Sequence, residues 1–546
     1  MKKYDFDINT QEIFNQYYSI ESSINWRDWL NINSKEEFIE SCLKNSGLSQ
    51  IDNLFEMIKE RITDSRKFSV DVNQYINSID SKEPLIFCHT SGTTNNDPSA
   101  LKWFHLSKSL IKQLWAPGMK AIFESSGLNS HSSAIIFVPS RMYFDGINEG
   151  SRKKYLSLYS SEFSQRLVIS LFNPNSYVLY PYKDVYNLQV ISFILKLENI
   201  SVVSAPAATL LKWADINRLK SGIKQYIAKV KENNKNFLKE LELYKFIKAK
   251  GIDSGVRKIQ EKLSEKISQA NLIFSISSLN EKKWNLIRSF MNWERGEEKF
   301  TNLYVGSEIG PFASSIPIYS YDISRANKMY VFPLTLPVIQ YKNKMKIITD
   351  INASQGRLFI SRIHNSKPQI NIDTGDIIAI KNQNKLPLIG GDIYRGEFNL
   401  RYEININKKI ETPSEFIISA GNFFLFEDFD IKSAGDFLSS LQNSCSIKND
   451  SLVLNKQINK NWQLYIPIDG EKCSSLKEMN QIIMNSPDEK SLKNALKNQI
   501  IELKILNEKL VDFLTPRDKI LQKVREGKHP KGILKRWPLY VIKPKN

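Results

Sequence analysis

Between residues 134 and 311, short apolar runs alternate with helical stretches, and this pattern constrains the fold more than any other feature. Residues 134–139, 178–182, 202–205 and 272–278 are apolar runs of strand length, and a further short run at 303–305 ends in glycines. Helical spacing occupies 188–197, 221–269 and 284–293 between them. Strands separated by helices predict parallel β-α-β construction, in which ligands sit beyond the carboxyl ends of the strands. The predicted class is α/β: a large N-terminal domain of β-sheets flanked by helices, followed by a small mobile α+β C-terminal domain.

At 546 residues the chain exceeds one ordinary core, so more than one domain is expected. Residues 1–80 read as a helical segment packed on the core, with Trp26, Trp29 and Leu30 as anchors and a helix start at Ser34, Glu36 and Glu37. Residues 81–400 form the core domain and 401–546 the C-terminal domain. Within the core, 221–269 is charged and free of proline, and the run from Gly251 to Gly255 divides it into two helices. Its charges read as solvated faces; an arm reaching a partner is the minority alternative.

The run from Pro84 to Cys88 reads as a buried strand and leads into His89-Thr90-Ser91-Gly92-Thr93-Thr94-Asn95-Asn96-Asp97-Pro98. Hydroxyls and backbone N–H groups all donate, and Gly92 lets the backbone approach closely, so this loop suits a phosphate. The alternative is a Ser/Thr-rich surface turn. It is not a Walker loop, because no Gly-Lys-Ser/Thr follows.

Three later stretches add polar groups at strand ends. Tyr304-Val305-Gly306-Ser307-Glu308 places one carboxylate between glycines, which is either simply exposed or a magnesium ligand near phosphates. Ile372-Asp373-Thr374-Gly375-Asp376 is either a hairpin turn or a carboxylate that accepts hydrogen bonds from a ribose. The run from Arg525 to Trp537 is a basic loop with two glycines, either solvated or a lid carrying positive charge. Ser486-Pro487-Asp488-Glu489 reads as the start of a long helix in the C-terminal domain.

There are 76 Lys+Arg against 58 Asp+Glu, a net charge of +18. The lysines read as spread through Lys/Asn/Ile-rich sequence without a recognition block, which favours coding bias over nucleic-acid binding, and an anionic substrate also suits the charge. Cys42, Cys88, Cys445 and Cys473 form no CxxC pair and the five histidines do not join them, so neither a disulfide framework nor a zinc site is indicated. No stretch has the length and apolarity of a secretory signal or a membrane span. A reducing cytoplasm is the expected location.

The order Thr90-Ser91-Gly92-Thr93-Thr94, then Tyr304 to Glu308, then Thr374-Gly375-Asp376, then a basic C-terminal loop, resembles the adenylate-forming superfamily of acyl- and aryl-CoA ligases, luciferases and adenylation domains. Around residues 368–376 it looks most like the phenylacetate–CoA ligase branch, with acyl-amido and acyl-protein synthetases as relatives. The resemblance covers roughly residues 80–546. It implies that ATP and Mg2+ activate a carboxylic acid as an acyl-adenylate. The acyl group then passes to a thiol, of CoA or a separate carrier protein, or to an amine. Thr90, Ser91, Thr93 and Thr94 would hold phosphates, Glu308 magnesium, and Asp376 the ribose. Tyr304 would lie near the adenine or acyl group; Ser277, Ser278 and Ser307 would line the nucleotide site. Arg395 and Arg401 compete for the arginine that follows the ribose aspartate, with Arg395 preferred. Lys535 or Lys531, with Lys528 third, would neutralise charge during adenylation. The family's Gly-x-Pro-Lys after the phosphate loop is replaced by Asn95-Asn96-Asp97-Pro98-Ser99, with the lysine missing or displaced to Lys102. That departure leaves a second implied reading, a nucleotide-binding scaffold with altered chemistry on the same fold.

Overall fold

A computed structural model describes residues 2–18, 85–89, 103–138 except 107, 146–147, 154–275 except 234, 281–306, 310–315, 328–332, 334–341, 344–347, 355–362, 369–380, 388–395, 410–411, 415–421, 424–431, 433–444, 451–468, 475–485, 490–506 and 538–544, with isolated positions between 37 and 59.

Strand β1 (Lys2–Asp5) and helix α1 (Ile8–Tyr18) come first. β2 (Leu85–His89) and β3 (Trp103–His105) precede a π-helical turn, Ile111–Trp115, that runs into α2 (Ala116–Ser125). Then follow β4 (Ser133–Val138), β5 (Gly146–Ile147), β6 (Lys154–Tyr159), α3 (Ser160–Phe172), β7 (Ser176–Pro181), α4 (Leu188–Leu195), β8 (Ile200–Ser204) and α5 (Ala207–Ala214). Four helices come next: α6 (Ile216–Asn233), α7 (Lys235–Glu240), α8 (Glu242–Lys250) and α9 (Ile252–Ile267). β9 (Asn271–Ser275), α10 (Glu281–Phe290) and β10 (Phe300–Gly306) complete the alternating region.

The strands β1-β7-β4-β8-β9-β10 lie side by side in that order, and every ladder among them is parallel. Their near-continuous apolar sequence follows from burial on both faces. Along β4, Ala134, Ile136 and Val138 enter one core while Ile135 and Phe137 enter the other. The first core is covered by α1, α2 and α3, the second by α4, α5, α6, α9 and α10. β3-β2-β6-β5 form a separate four-stranded sheet.

Past β10 the same sheet turns antiparallel through β11 (Gly310–Ser314), β12 (Lys328–Val331), β13 (Thr335–Tyr341), β14 (Lys344–Ile347), β15 (Gln355–Arg362), β16 (Gln369–Ile380) and β17 (Leu388–Arg395). The order continues β10-β11-β12-β17-β16-β15-β13-β14, giving thirteen strands among the described residues. A second body of structure has its own core: β18 (Phe416–Gly421), the short pair β19 (Phe424–Leu425) and β20 (Asp430–Ile431), α11 (Ala434–Ser444), β21 (Leu452–Asn455), β22 (Trp462–Pro467), α12 (Leu476–Asn485), α13 (Lys490–Lys497), β23 (Ile501–Leu506) and β24 (Leu539–Pro544). Its five-stranded sheet runs β18-β24-β21-β22-β23. Lys283 of α10 pairs with Asp436 of α11, so a salt bridge joins it to the larger sheet's helical layer.

Several expectations change. The segment read as mostly helical opens with a strand, β1, ahead of α1. Pairing with β7 decides this, and Tyr4 packs its ring 5.6 Å from Tyr180 and 5.3 Å from Phe193. Trp26, Trp29, Leu30, Ser34 and Glu36 lie outside the described residues. The charged stretch is four helices rather than two, and it is no free arm. Leu219, Ile223, Ile247, Val256, Ile259, Leu263 and Ile267 bury one side of it in the second core. Gly251 does divide it, at φ +77°, a conformation open to glycine. The Thr374-Gly375-Asp376 stretch is no hairpin turn but lies inside the single strand β16. The helix start read at Ser486-Pro487-Asp488-Glu489 lies outside the described residues; α13, just beyond it, ends at Lys497 in a Schellman turn, with Gln499 at φ 60° and Ile500 N–H donating to the Ala495 carbonyl.

Candidate functional site

β10 is buried from Phe300 to Tyr304 and emerges only at Val305 and Gly306, at the carboxyl edge of the parallel half. Tyr304 is 3% exposed, with its ring centroid 4.1 Å from that of Phe312 on β11. The β10–β11 ladder shifts register between Tyr304 and Val305, so the strand kinks as it leaves the core. Gly310 opens β11 at φ +77°, and a Cβ there would fall on the Trp115 indole. The π-helical turn before α2 holds that indole, which also meets Phe163 edge-on at 5.4 Å.

β16 approaches from the other half. Leu358 of β15 lies opposite Asp376 and Phe359 opposite Asp373, so Thr374 and Gly375 bulge out of the ladder. The bulge is tied down locally. Thr374 Oγ1 donates to the Leu358 carbonyl at 2.8 Å and accepts from the Asp376 N–H at 3.1 Å. Arg357 grips Asp373 with two bonds, Nε to Oδ1 at 3.0 Å and Nη2 to Oδ2 at 2.5 Å. Asp376 itself keeps its place in the ladder, opposite Leu358. On its other side it pairs in register with Arg395 of β17.

The two halves meet where the Tyr304 hydroxyl donates to Asp376 Oδ2 at 2.5 Å. β10 and β16 are four places apart in strand order. In a flat sheet four spacings amount to about 19 Å, beyond the reach of one side-chain hydrogen bond. The sheet therefore coils until its antiparallel part faces the end of the parallel part. The result is a half-buried carboxylate at a strand bulge, beside a phenol and across the ladder from an arginine position. A carboxylate so placed accepts hydrogen bonds from hydroxyls.

Of the residues singled out from sequence, Tyr304, Asp376 and the backbone of Arg395 come together here. Thr90, Ser91, Gly92, Thr93, Thr94, Lys102, Ser277, Ser278, Ser307, Glu308, Arg401, Lys528, Lys531 and Lys535 lie outside the described residues. The strand leading to the phosphate-loop candidate is described: His89 is fully buried, its ring 5.2 Å from Trp103 and 6.0 Å from Tyr159. Sequence reasoning missed Arg357, Phe312 and Trp115. The alternation of Arg357 with buried Leu358 was the available sign for the first. Among the described residues no three metal-ligating side chains gather, and no helix is long and apolar enough to cross a membrane.

No family model and no curated protein matches the sequence. Solved structures do. The chain is similar to a 2-hydroxyisobutyryl-CoA ligase in complex with 2-HIB-AMP and CoA, at 8% identity and a TM-score of 0.41, over 92% of this chain and 88% of that one. It is similar to fatty acyl-adenylate ligases from E. coli and L. pneumophila, at 10% identity and a TM-score of 0.39, over 76% and 66%. It is also similar to an amide bond synthetase from Marinactinospora thermotolerans, at 8% identity and a TM-score of 0.36, over 76% of this chain and 64% of that one. CoA ligases, amide synthetases and acyl-adenylate ligases all appear, so no branch is singled out. At such identities no residue role passes from these structures to this chain.

Proposed function

We propose that this chain activates a carboxylic acid with ATP, forming an acyl-adenylate and releasing pyrophosphate, and then transfers the acyl group to an acceptor thiol or amine with release of AMP. The observation that supports it is the meeting of Tyr304 with Asp376, opposite Arg395, at the carboxyl edge of the parallel strands. A carboxylate is a poor electrophile because oxide is its leaving group. Attack by the acid on the α-phosphorus of ATP replaces that leaving group with AMP. The protein's share is then positioning and charge neutralisation.

In this reading Asp376 accepts the two ribose hydroxyls, Tyr304 holds its carboxylate in place, and Arg395 faces the α-phosphate. Thr90, Ser91, Gly92, Thr93 and Thr94 wrap the β- and γ-phosphates, and Ser277, Ser278 and Ser307 line the nucleotide. Magnesium, bound through Glu308, would supply further neutralisation of phosphate charge. Residues 401–546 act as a lid on the 81–400 core and bring Lys535 or Lys531 to the reacting phosphate. CoA, a separate carrier protein or an amine takes the acyl group, in a reducing cytoplasm.

One observation favours a second reading, a nucleotide-binding scaffold: Asn95-Asn96-Asp97-Pro98 stands where the phosphate loop would carry its lysine. Carboxylate-dependent exchange of labelled pyrophosphate into ATP separates the two. Exchange with one acid of a broad aryl, fatty and amino-acid panel, abolished by Asp376→Ala, is the expected result. ATP binding without exchange across the panel would replace the ligase reading with the scaffold.

A further inference from the structure

The excess of positive charge is not spread evenly along the chain. Residues 216–267 hold fourteen Lys or Arg and six Asp or Glu, a net +8 in 52 residues against +18 for all 546. Basic residues there are almost twice as dense as in the whole chain, while acidic residues match the chain's own density. A general coding bias would not raise the bases in one segment alone.

The fold turns this surplus outward on a rigid support. The apolar side of α6, α8 and α9 is sealed into the second core through Leu219, Ile223, Ile247, Val256, Ile259 and Leu263. Lys224, Lys231, Lys245, Lys248, Arg257 and Lys262 are exposed. On α6, Lys220, Lys224 and Lys231 share one helical face over about 16 Å. Three of the six acidic residues are already matched: Asp253 by Lys220, Glu242 by Lys196 at 2.9 Å, and Glu261 by Lys258 at 2.8 Å. The field is felt locally. Lys220 first, then Lys224 and Arg257, hold the Asp253 carboxyl below its usual range.

We propose that the outer face of α6–α9 is a docking surface for an acidic protein, and that it acts independently of the nucleotide site. Twelve of the fourteen bases are lysine, whereas arginine is the better bidentate partner for phosphate. Three of the aromatic residues of these helices, Tyr226, Tyr244 and Phe246, pack against the core instead of forming a stacking platform, and the Tyr226 hydroxyl bonds Asn187 at 3.1 Å. The large exposed apolar residues described, Ile458 and Leu476, lie elsewhere, so this face has nothing to insert into a membrane. A surface of separated lysines with a few carboxylates among them complements an acidic helix.

The test titrates the whole protein, without ATP, with a Glu- and Ala-rich helical peptide, a DNA duplex and phosphatidylserine vesicles. We expect peptide binding that weakens with salt and falls about tenfold or more in Lys224→Glu/Lys231→Glu/Arg257→Glu. The glutamine versions of the same three positions should show a smaller loss with an unchanged melting curve, which separates charge from misfolding. Lys344→Glu/Lys346→Glu, exposed on β14, should bind like the wild type. Absence of peptide binding, or equal losses in both reversals, would overturn the proposal. So would tighter binding of duplex or vesicles that the triple reversal abolishes. Because no nucleotide is present, none of these outcomes bears on the ligase reading.

Discussion

Arg166 of α3 meets Asp5 of β1 at 3.1 Å, and solvent reaches neither side chain. Glu162 takes the guanidinium Nε at 2.8 Å, and Phe6 lies 5.1 Å from the cation. Burial by itself lowers the Arg166 pKa, but Glu162 and Asp5 outweigh it and leave it above the ordinary arginine value. Removing one member of such a group strands the others in the interior. Arg166→Ala should cost about 3–5 kcal/mol, read from the urea midpoint. Combining Arg166→Met with Asp5→Asn and Glu162→Gln should recover most of that loss. An unchanged midpoint in the single variant would mean that the carboxylates reach water after all.

The bulge that presents Asp376 depends on one hydroxyl. Thr374→Val keeps the shape but removes the partner of the Leu358 carbonyl and the Asp376 N–H. A loss of about 1–3 kcal/mol in stability is expected, together with weaker ATP binding. Thr374→Ser should retain both. Wild-type nucleotide affinity in the valine variant would show that the bulge does not orient Asp376 for this ligand.

A cluster of phenols sets the alkaline limit. Burial first, then the neighbouring phenol Tyr180, pushes Tyr4 and Tyr226 up to about 12. Between pH 10 and 12 the unfolded chain has lost these protons and the folded one has kept them. Stability therefore falls as pH rises through that window and is untouched below it. Absorbance at 295 nm should show tyrosines that ionise only with unfolding, and Tyr4→Phe should flatten the pH slope. Titration of every tyrosine near the ordinary phenol value of about 10 would rule this out.

Gly310 should tolerate no side chain. Its φ of +77° disfavours alanine, and the new methyl would strike Trp115. Gly310→Ala is expected to cost about 1–3 kcal/mol. Part of the loss should disappear in a Trp115→Leu background, a coupling that a double-mutant cycle measures. Simple additivity would show that the steric contact contributes nothing.

The parallel half of the fold was legible because strands buried on both faces leave near-continuous apolar runs, as from Ala134 to Val138 in β4. β1 left no such mark: Lys2-Lys3-Tyr4-Asp5 becomes a strand only because β7 offers it an edge. The acidic stretch of β16 carried turn residues but not the two neighbouring strands that hold it extended. For the site, residue type identified Tyr304 and Asp376 separately. Their contact depends on the coiling of the sheet, which no local pattern encodes. Arg357 escaped notice for the same reason, since its partner is set by the β15–β16 register.

The pairing of β1 with β7 also governs the order of assembly. Lys2 must wait for Ser176 before its ladder can form. At ribosomal speeds of roughly 5–20 residues per second, that delay is about 9–35 s. Asp5 spends this interval solvated as a nascent segment and meets Arg166 and β7 almost together, since those arrive within about a dozen residues of each other. Closing this edge is among the longest-range steps in the chain, and it is a natural point for a slow folding phase or for chaperone engagement.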